Sequence, residues 1–113
     1  TPGCTQEAMA FNALRTQFSE AGTAILGVSP DPVKSHDKFK KKHGLDFPLA
    51  ADETQALLNA YGIWVEKSMY GRQYMGVERT TFLIDAEGRI ARIWRKVKVA
   101  GHADEVLAAA RAL

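Results

Sequence analysis

The chain has 113 residues, 46% of them hydrophobic and 25% charged, with a formal net charge of +2. That balance is ordinary for one globular domain. No run of about 18 apolar residues exists, so no helix that crosses a membrane is expected, and the charge is too small to imply a polyanionic partner such as nucleic acid. Cys4 is the single cysteine, so no intrachain disulfide can form. This fits a reducing compartment such as the cytoplasm.

The first five residues are Thr1-Pro2-Gly3-Cys4-Thr5. Thr1 can serve as N-cap and Pro2 falls at the first helical position, where its missing N–H costs nothing. Apolar Ala8, Phe11, Leu14 and Phe18 follow at helical spacing, which predicts a helix over 2–20 stopped by Gly22. Cys4 then lies in the first turn. There the helix dipole and unsatisfied N–H groups favour thiolate, the nucleophilic form, over thiol. A buried, inert cysteine is the competing reading, but Thr-Pro-Gly marks an accessible corner.

Residues 23–29 form a short apolar run and predict a buried strand. Asp31 and Pro32 read as the cap and first residue of a helix over 32–43. Val33, His36 and Phe39 lie on its inner side, and lysines 38 and 40–42 on its solvated side. Residues 45–50 suit a short edge strand or loop. Asp52 to Gln55 has capping-box spacing and opens a third helix, apolar at Leu57, Ala60 and Tyr61 and stopped by Gly62. Residues 63–77, rich in glycine, tyrosine, methionine and charge, read as a long loop. Its Tyr70, Tyr74, Met69 and Met75, with Tyr61 and Trp64, can wall a site or form a contact with a second copy. Residues 79–84 and 89–96 read as a hairpin turning at Asp85-Ala86-Glu87-Gly88. Residues 102–113 predict a last helix with Ala103, Val106, Leu107, Ala110 and Leu113 on one face.

Helices alternate with strands, and the late hairpin makes the sheet mixed, so the fold class is α/β. The helix carrying Cys4 has no strand feeding it, although sites in such folds lie just beyond strand ends. The expectation is one domain over 1–113 with further strands upstream of Thr1. His36 and His43 lack the supporting ligands a metal site needs, so neither a metal nor a cofactor is expected.

Several segments together resemble a peroxiredoxin, nearest to the subgroup called bacterioferritin comigratory protein or peroxiredoxin Q. They are residues 1–8, Leu26-Gly-Val-Ser-Pro-Asp31, Val33-Lys-Ser-His-Asp-Lys-Phe39, Phe47-Pro-Leu49, Tyr61-Gly-Ile-Trp64 and Arg79-Thr-Thr-Phe-Leu-Ile-Asp85. The resemblance implies a thioredoxin-like α/β sandwich, its mixed central sheet flanked by helices. It implies a thiol peroxidase that reduces hydrogen peroxide and organic hydroperoxides in antioxidant defence. By position, Cys4 matches the peroxidatic cysteine, Thr1 the threonine before it, Arg79 the site arginine, and Glu7 an acidic residue that orients that arginine. The backbone N–H groups of Gly3 and Cys4 can cradle the peroxide. Many relatives also carry a resolving cysteine, at positions that here hold Met9 or lie near Lys40. With neither present, the expectation is a one-cysteine enzyme. It would be restored by an external thiol such as thioredoxin, glutaredoxin or glutathione, and would act as a monomer or homodimer. The reading from another class is a silent thioredoxin-like interaction module, against which the coexistence of Thr1, Cys4 and Arg79 argues.

Overall fold

The structure, a computed structural model, describes residues 2–113. The expected N-cap Thr1 lies outside them. The first helix is two: α1 over Pro2–Ala13 and α2 over Arg15–Glu20. They divide at Leu14, whose φ of −98° and ψ of 4° leave the helical region. The cause is local. The Asn12 carbonyl accepts from Arg15 Nη1 at 2.9 Å, while the Asn12 side chain accepts from the Asp46 N–H at 2.8 Å and donates to the Gly44 carbonyl at 3.1 Å. Gly22, with φ at +72°, ends α2 as expected.

Strand β1 covers Gly27–Ser29, shorter than the apolar run, and pairs in parallel with β2 over Leu49–Ala51. Between them, α3 spans Val33–His43. Asp31 does not cap it; Pro32 stands at that position, and the Asp31 carboxylate instead accepts from Ser29 Oγ at 2.8 Å. His36 is buried inward against Ser29 Oγ at 2.5 Å. Val33, in contrast with the expectation, is exposed. Helix α4 is one short turn, Ala56–Ala60. The capping box does not form: the Asp52 carboxylate accepts from Leu58 N–H at 2.8 Å, and Gln55 Nε2 turns to the Glu53 carbonyl at 2.7 Å.

The main departure is at 63–77. The expected loop is a regular antiparallel hairpin, β3 over Trp64–Met69 and β4 over Arg72–Val77. Tyr70 and Gly71 close it with φ of 51° and 75°. Two consecutive positive φ values define the turn whose twist matches flanking strands. Tyr70, Met69, Tyr74 and Met75 are exposed on this arm. The second expected hairpin is present: β5 over Thr81–Ile84 and β6 over Ile90–Trp94. Ile84 opposes Ile90 and Leu83 opposes Arg92, which leaves Ala91 as the extra residue of a bulge. Among the described residues the six strands form three two-stranded ladders, one parallel and two antiparallel.

Helix α5, His102–Arg111, closes the main core. Phe18, Leu83, Val106, Leu107 and Ala110 bury together, with Phe11, Leu14, Ile25 and Trp94 packed around them. Burying Phe18, 1% exposed, contributes on the order of 2 kcal/mol. The inward face of α5 is the expected one except for Leu113, which lies past its end and is exposed. This core joins α1 to the β5–β6 hairpin. It thereby fixes the start of α1, where Cys4 lies, relative to the chain entering β5, where Arg79 lies.

His102, at the start of α5, is buried in that joint. Its Nε2 meets Thr81 Oγ1 at 2.8 Å, and its ring stands edge-on to Phe11 and Trp94. Burial pushes its pKa below 6.5, and nearby Glu105 opposes the shift only in part. The unfolded chain therefore binds a proton that the folded chain refuses. Stability rises with pH through the window just below 6.5 and is lost as pH falls through it. The expected result is a thermal midpoint that drops on mild acidification, and His102→Asn should flatten that slope. An unchanged slope in the variant would mean that His102 does not cause the drop.

Candidate active site

Cys4 lies in the first turn of α1, with its thiol exposed. Glu7 is one turn further on, so both side chains share a face of the helix. Arg79 arrives from 75 residues away and Nη2 donates to Cys4 Sγ at 3.5 Å. The same guanidinium turns its Nε to Glu7 Oε2 at 3.6 Å. Gly3 lies beneath it. One cation thus spans the thiol and the carboxylate.

Arg79 sits between β4 and β5, not within the strand the sequence predicts. Its neighbours hold it on both sides. The Val97 N–H donates to the Arg79 carbonyl at 3.0 Å, and the Glu78 N–H donates to the Ile63 carbonyl at 2.8 Å. The Glu78 carboxylate accepts from Arg95 Nε at 2.9 Å and Thr80 Oγ1 at 3.2 Å. The Arg95 bond holds the Glu78 pKa below the ordinary carboxylate value. Two of the basic residues around the end of β6 are therefore engaged within the molecule: Arg95 with Glu78, and Arg92 stacked over Trp94 at 4.6 Å.

Glu7 is the group under tension. Burial pushes its pKa up, and the Arg79 charge only partly offsets this. Its Oε2 is buried and makes no hydrogen bond, because 3.6 Å is an ion-pair distance. A carboxylate whose folded pKa is raised costs stability as pH rises through that value. Glu7→Gln should therefore raise the thermal midpoint at neutral pH. It should also slow the reaction of Cys4 by about tenfold, since a guanidinium loses its anchor and misplacement by about 1 Å can cost more than that. A variant that is both stabler and equally fast would remove Glu7 from any positioning role.

The arm that the sequence reads as a loop borders this cluster. Val65, Glu66 and Lys67 of β3, with Glu78, Arg79, Lys96 and Val97, line an open groove of about 490 Å³. None of Tyr61, Trp64, Met69, Tyr70, Tyr74 and Met75 is among its lining residues; Tyr61 packs edge-on against Phe82 at 4.8 Å. A larger cavity of about 640 Å³, between Arg15 and Phe47, shares no residue with the Cys4 cluster. Thr1, expected beside the thiol, lies outside the described residues. Sequence reasoning placed Glu7 and Arg79 through the resemblance alone. It missed the β3 wall, because neither strand alternates apolar with polar residues and Tyr70-Gly71 is not one of the usual hairpin-turn pairs.

An exposed thiol at a helix start, faced by an arginine within an α/β fold, is an arrangement suited to thiolate chemistry. Residues 1–93 match the model of the AhpC/TSA family, and the chain belongs to that family. It is 57% identical to peroxiredoxin Bcp of Xanthomonas campestris over 112 residues, which cover 99% of this chain and 70% of that one. It is 50% identical to peroxiredoxin Bcp of Bacillus subtilis, covering 95% of this chain and 68% of that protein. The solved structure of the Xanthomonas campestris bacterioferritin comigratory protein, described for its alkyl peroxide reduction activity, superposes with a TM-score of 0.94. It is 56% identical, and the match covers 99% of this chain and 71% of that one. This chain is accordingly a peroxiredoxin, and the silent-module reading is not favoured.

Proposed function

We propose that Cys4 is the peroxidatic residue of this chain and that it reduces hydrogen peroxide and alkyl hydroperoxides. The thiolate sulfur attacks one peroxide oxygen in line. The S–O bond forms as the O–O bond breaks, sulfur is oxidised to sulfenic acid, and the leaving oxygen takes a proton to become water or an alcohol. Arg79 offers a fixed charge and a fork of donors to the thiolate and to the oxygen on which negative charge develops. The N–H groups of Gly3 and Cys4, at the positive end of α1, add donors for the peroxide, and Thr1, which the family resemblance assigns to the same site, lies outside the described residues. The observation that carries this reading is the 3.5 Å approach of Arg79 Nη2 to Cys4 Sγ.

Regeneration follows from the cysteine count. Structures of the Xanthomonas campestris relative include separate serine replacements of two cysteines 36 positions apart. This chain has one cysteine, and 36 positions past it stands Lys40. An external thiol therefore condenses with the sulfenic acid to release water and form a mixed disulfide. A second thiol then reduces that disulfide. Glutathione, glutaredoxin or thioredoxin in the cytoplasm would serve, with the chain acting as a monomer or homodimer. The test is peroxide turnover with isotope-labelled glutathione. The expected result is sustained consumption through a labelled mixed disulfide at Cys4, and turnover without any label on Cys4 would overturn the external-thiol route.

A further inference from the structure

Gly3 has no backbone need to be glycine. It lies inside α1 and is not one of the positions with positive φ. Alanine is the better helix former, so Gly3→Ala should cost α1 nothing and should stabilise it. What alanine would meet is the arginine. A Cβ built on Gly3 lies 2.8 Å from Arg79 Nη2, 2.9 Å from Nη1 and 3.3 Å from Cζ. The guanidinium turns the edge that carries its two terminal nitrogens into the space where a side chain would be. It also holds Cys4 Sγ and Glu7 from that place.

We infer that Gly3 is a positioning residue: its missing side chain is the seat that lets the Arg79 guanidinium reach the Cys4 sulfur. The inference rests on the role proposed for Arg79. Because the clashing atoms are the far end of a long side chain, the molecule would answer a methyl group at position 3 by displacing the guanidinium, not by unfolding. Helix stability and reactivity are thus set against each other at one residue. Two of the nearest atoms belong to the fork that would meet the peroxide, and a shift of about 1 Å there can cost 10²-fold.

The experiment is a double-mutant cycle on the full protein with Gly3→Ala, Arg79→Ala and the pair. The rate of Cys4 oxidation by hydrogen peroxide, the pH profile of Cys4 alkylation and the thermal midpoint are read for each. Gly3→Ala should slow oxidation by about 10- to 100-fold and shift the alkylation profile to higher pH, with the midpoint unchanged or raised. In the Arg79→Ala background the same change should cost less than about twofold, since the partner of the clash is gone. Equal losses in both backgrounds, or a lowered midpoint in both, would show a distorted helix and overturn the inference. So would a Gly3→Ala variant of normal rate beside a slow Arg79→Ala. A normal rate in Arg79→Ala itself removes the arginine's role, and this inference with it.

Discussion

Arg79→Ala slows oxidation of Cys4 by about 10²- to 10³-fold, the cost of removing one preorganised donor from a site of developing charge. Two effects combine. The guanidinium sits 3.5 Å from the sulfur, and a cation at that distance favours thiolate over thiol. Its loss raises the thiol pKa, so the thiolate fraction at neutral pH falls and the rate profile moves to higher pH. Raising the pH restores that fraction. It does not restore the donors aimed at the leaving oxygen, so a deficit remains on the alkaline plateau. Arg79→Lys separates the two, since an ammonium keeps the charge and loses the fork. It should recover more of the pKa than of the plateau rate. A plateau equal to that of the unaltered protein would confine Arg79 to tuning the thiol.

Cys4→Ser abolishes peroxide consumption, with no effect on the fold beyond the exchange of one exposed atom. The hydroxyl is not ionised near neutral pH and no other cysteine exists in the chain to take over. Peroxide loss measured against buffer should fall to background, and the circular dichroism and thermal midpoint should stay. Residual consumption that scales with variant concentration would require a second reactive group and would contradict the assignment.

How far the sequence reaches can be judged residue by residue. Local rules carried well at the glycine stops and turns, but not at the caps, where Asp31 and Asp52 take other partners. Gly22, Gly62 and Gly88 all take positive φ at the stops and turns predicted for them. The inward face of α5 was legible because four apolar positions, Ala103, Val106, Leu107 and Ala110, share one helical period. The β3–β4 hairpin was not legible from periodicity, because it is solvated on both sides. Glu66, Ser68 and Gln73 lie on one face and Lys67 and Arg72 on the other, so no apolar alternation exists to be read. The break at Leu14 escaped because it depends on Asn12 reaching Gly44 and Asp46, more than 30 residues away.

The site divides the same way. Cys4 could be singled out from five adjacent residues, since a helix start and a thiol suffice. Arg79 could not, since an arginine at a strand start is by itself ordinary surface. Its meaning comes from a tertiary approach across 75 residues, which family likeness anticipated and local chemistry did not. The seat at Gly3 was invisible to both. A glycine with helical φ looks dispensable until the guanidinium resting on it is seen.

The most direct test of the account is intact-mass analysis of the protein after one equivalent of hydrogen peroxide in the presence of a sulfenic-acid trap. The account predicts rapid, stoichiometric addition of one trap molecule, mapped by fragmentation to Cys4. A protein that leaves the peroxide unconsumed and carries no adduct at Cys4 would contradict it.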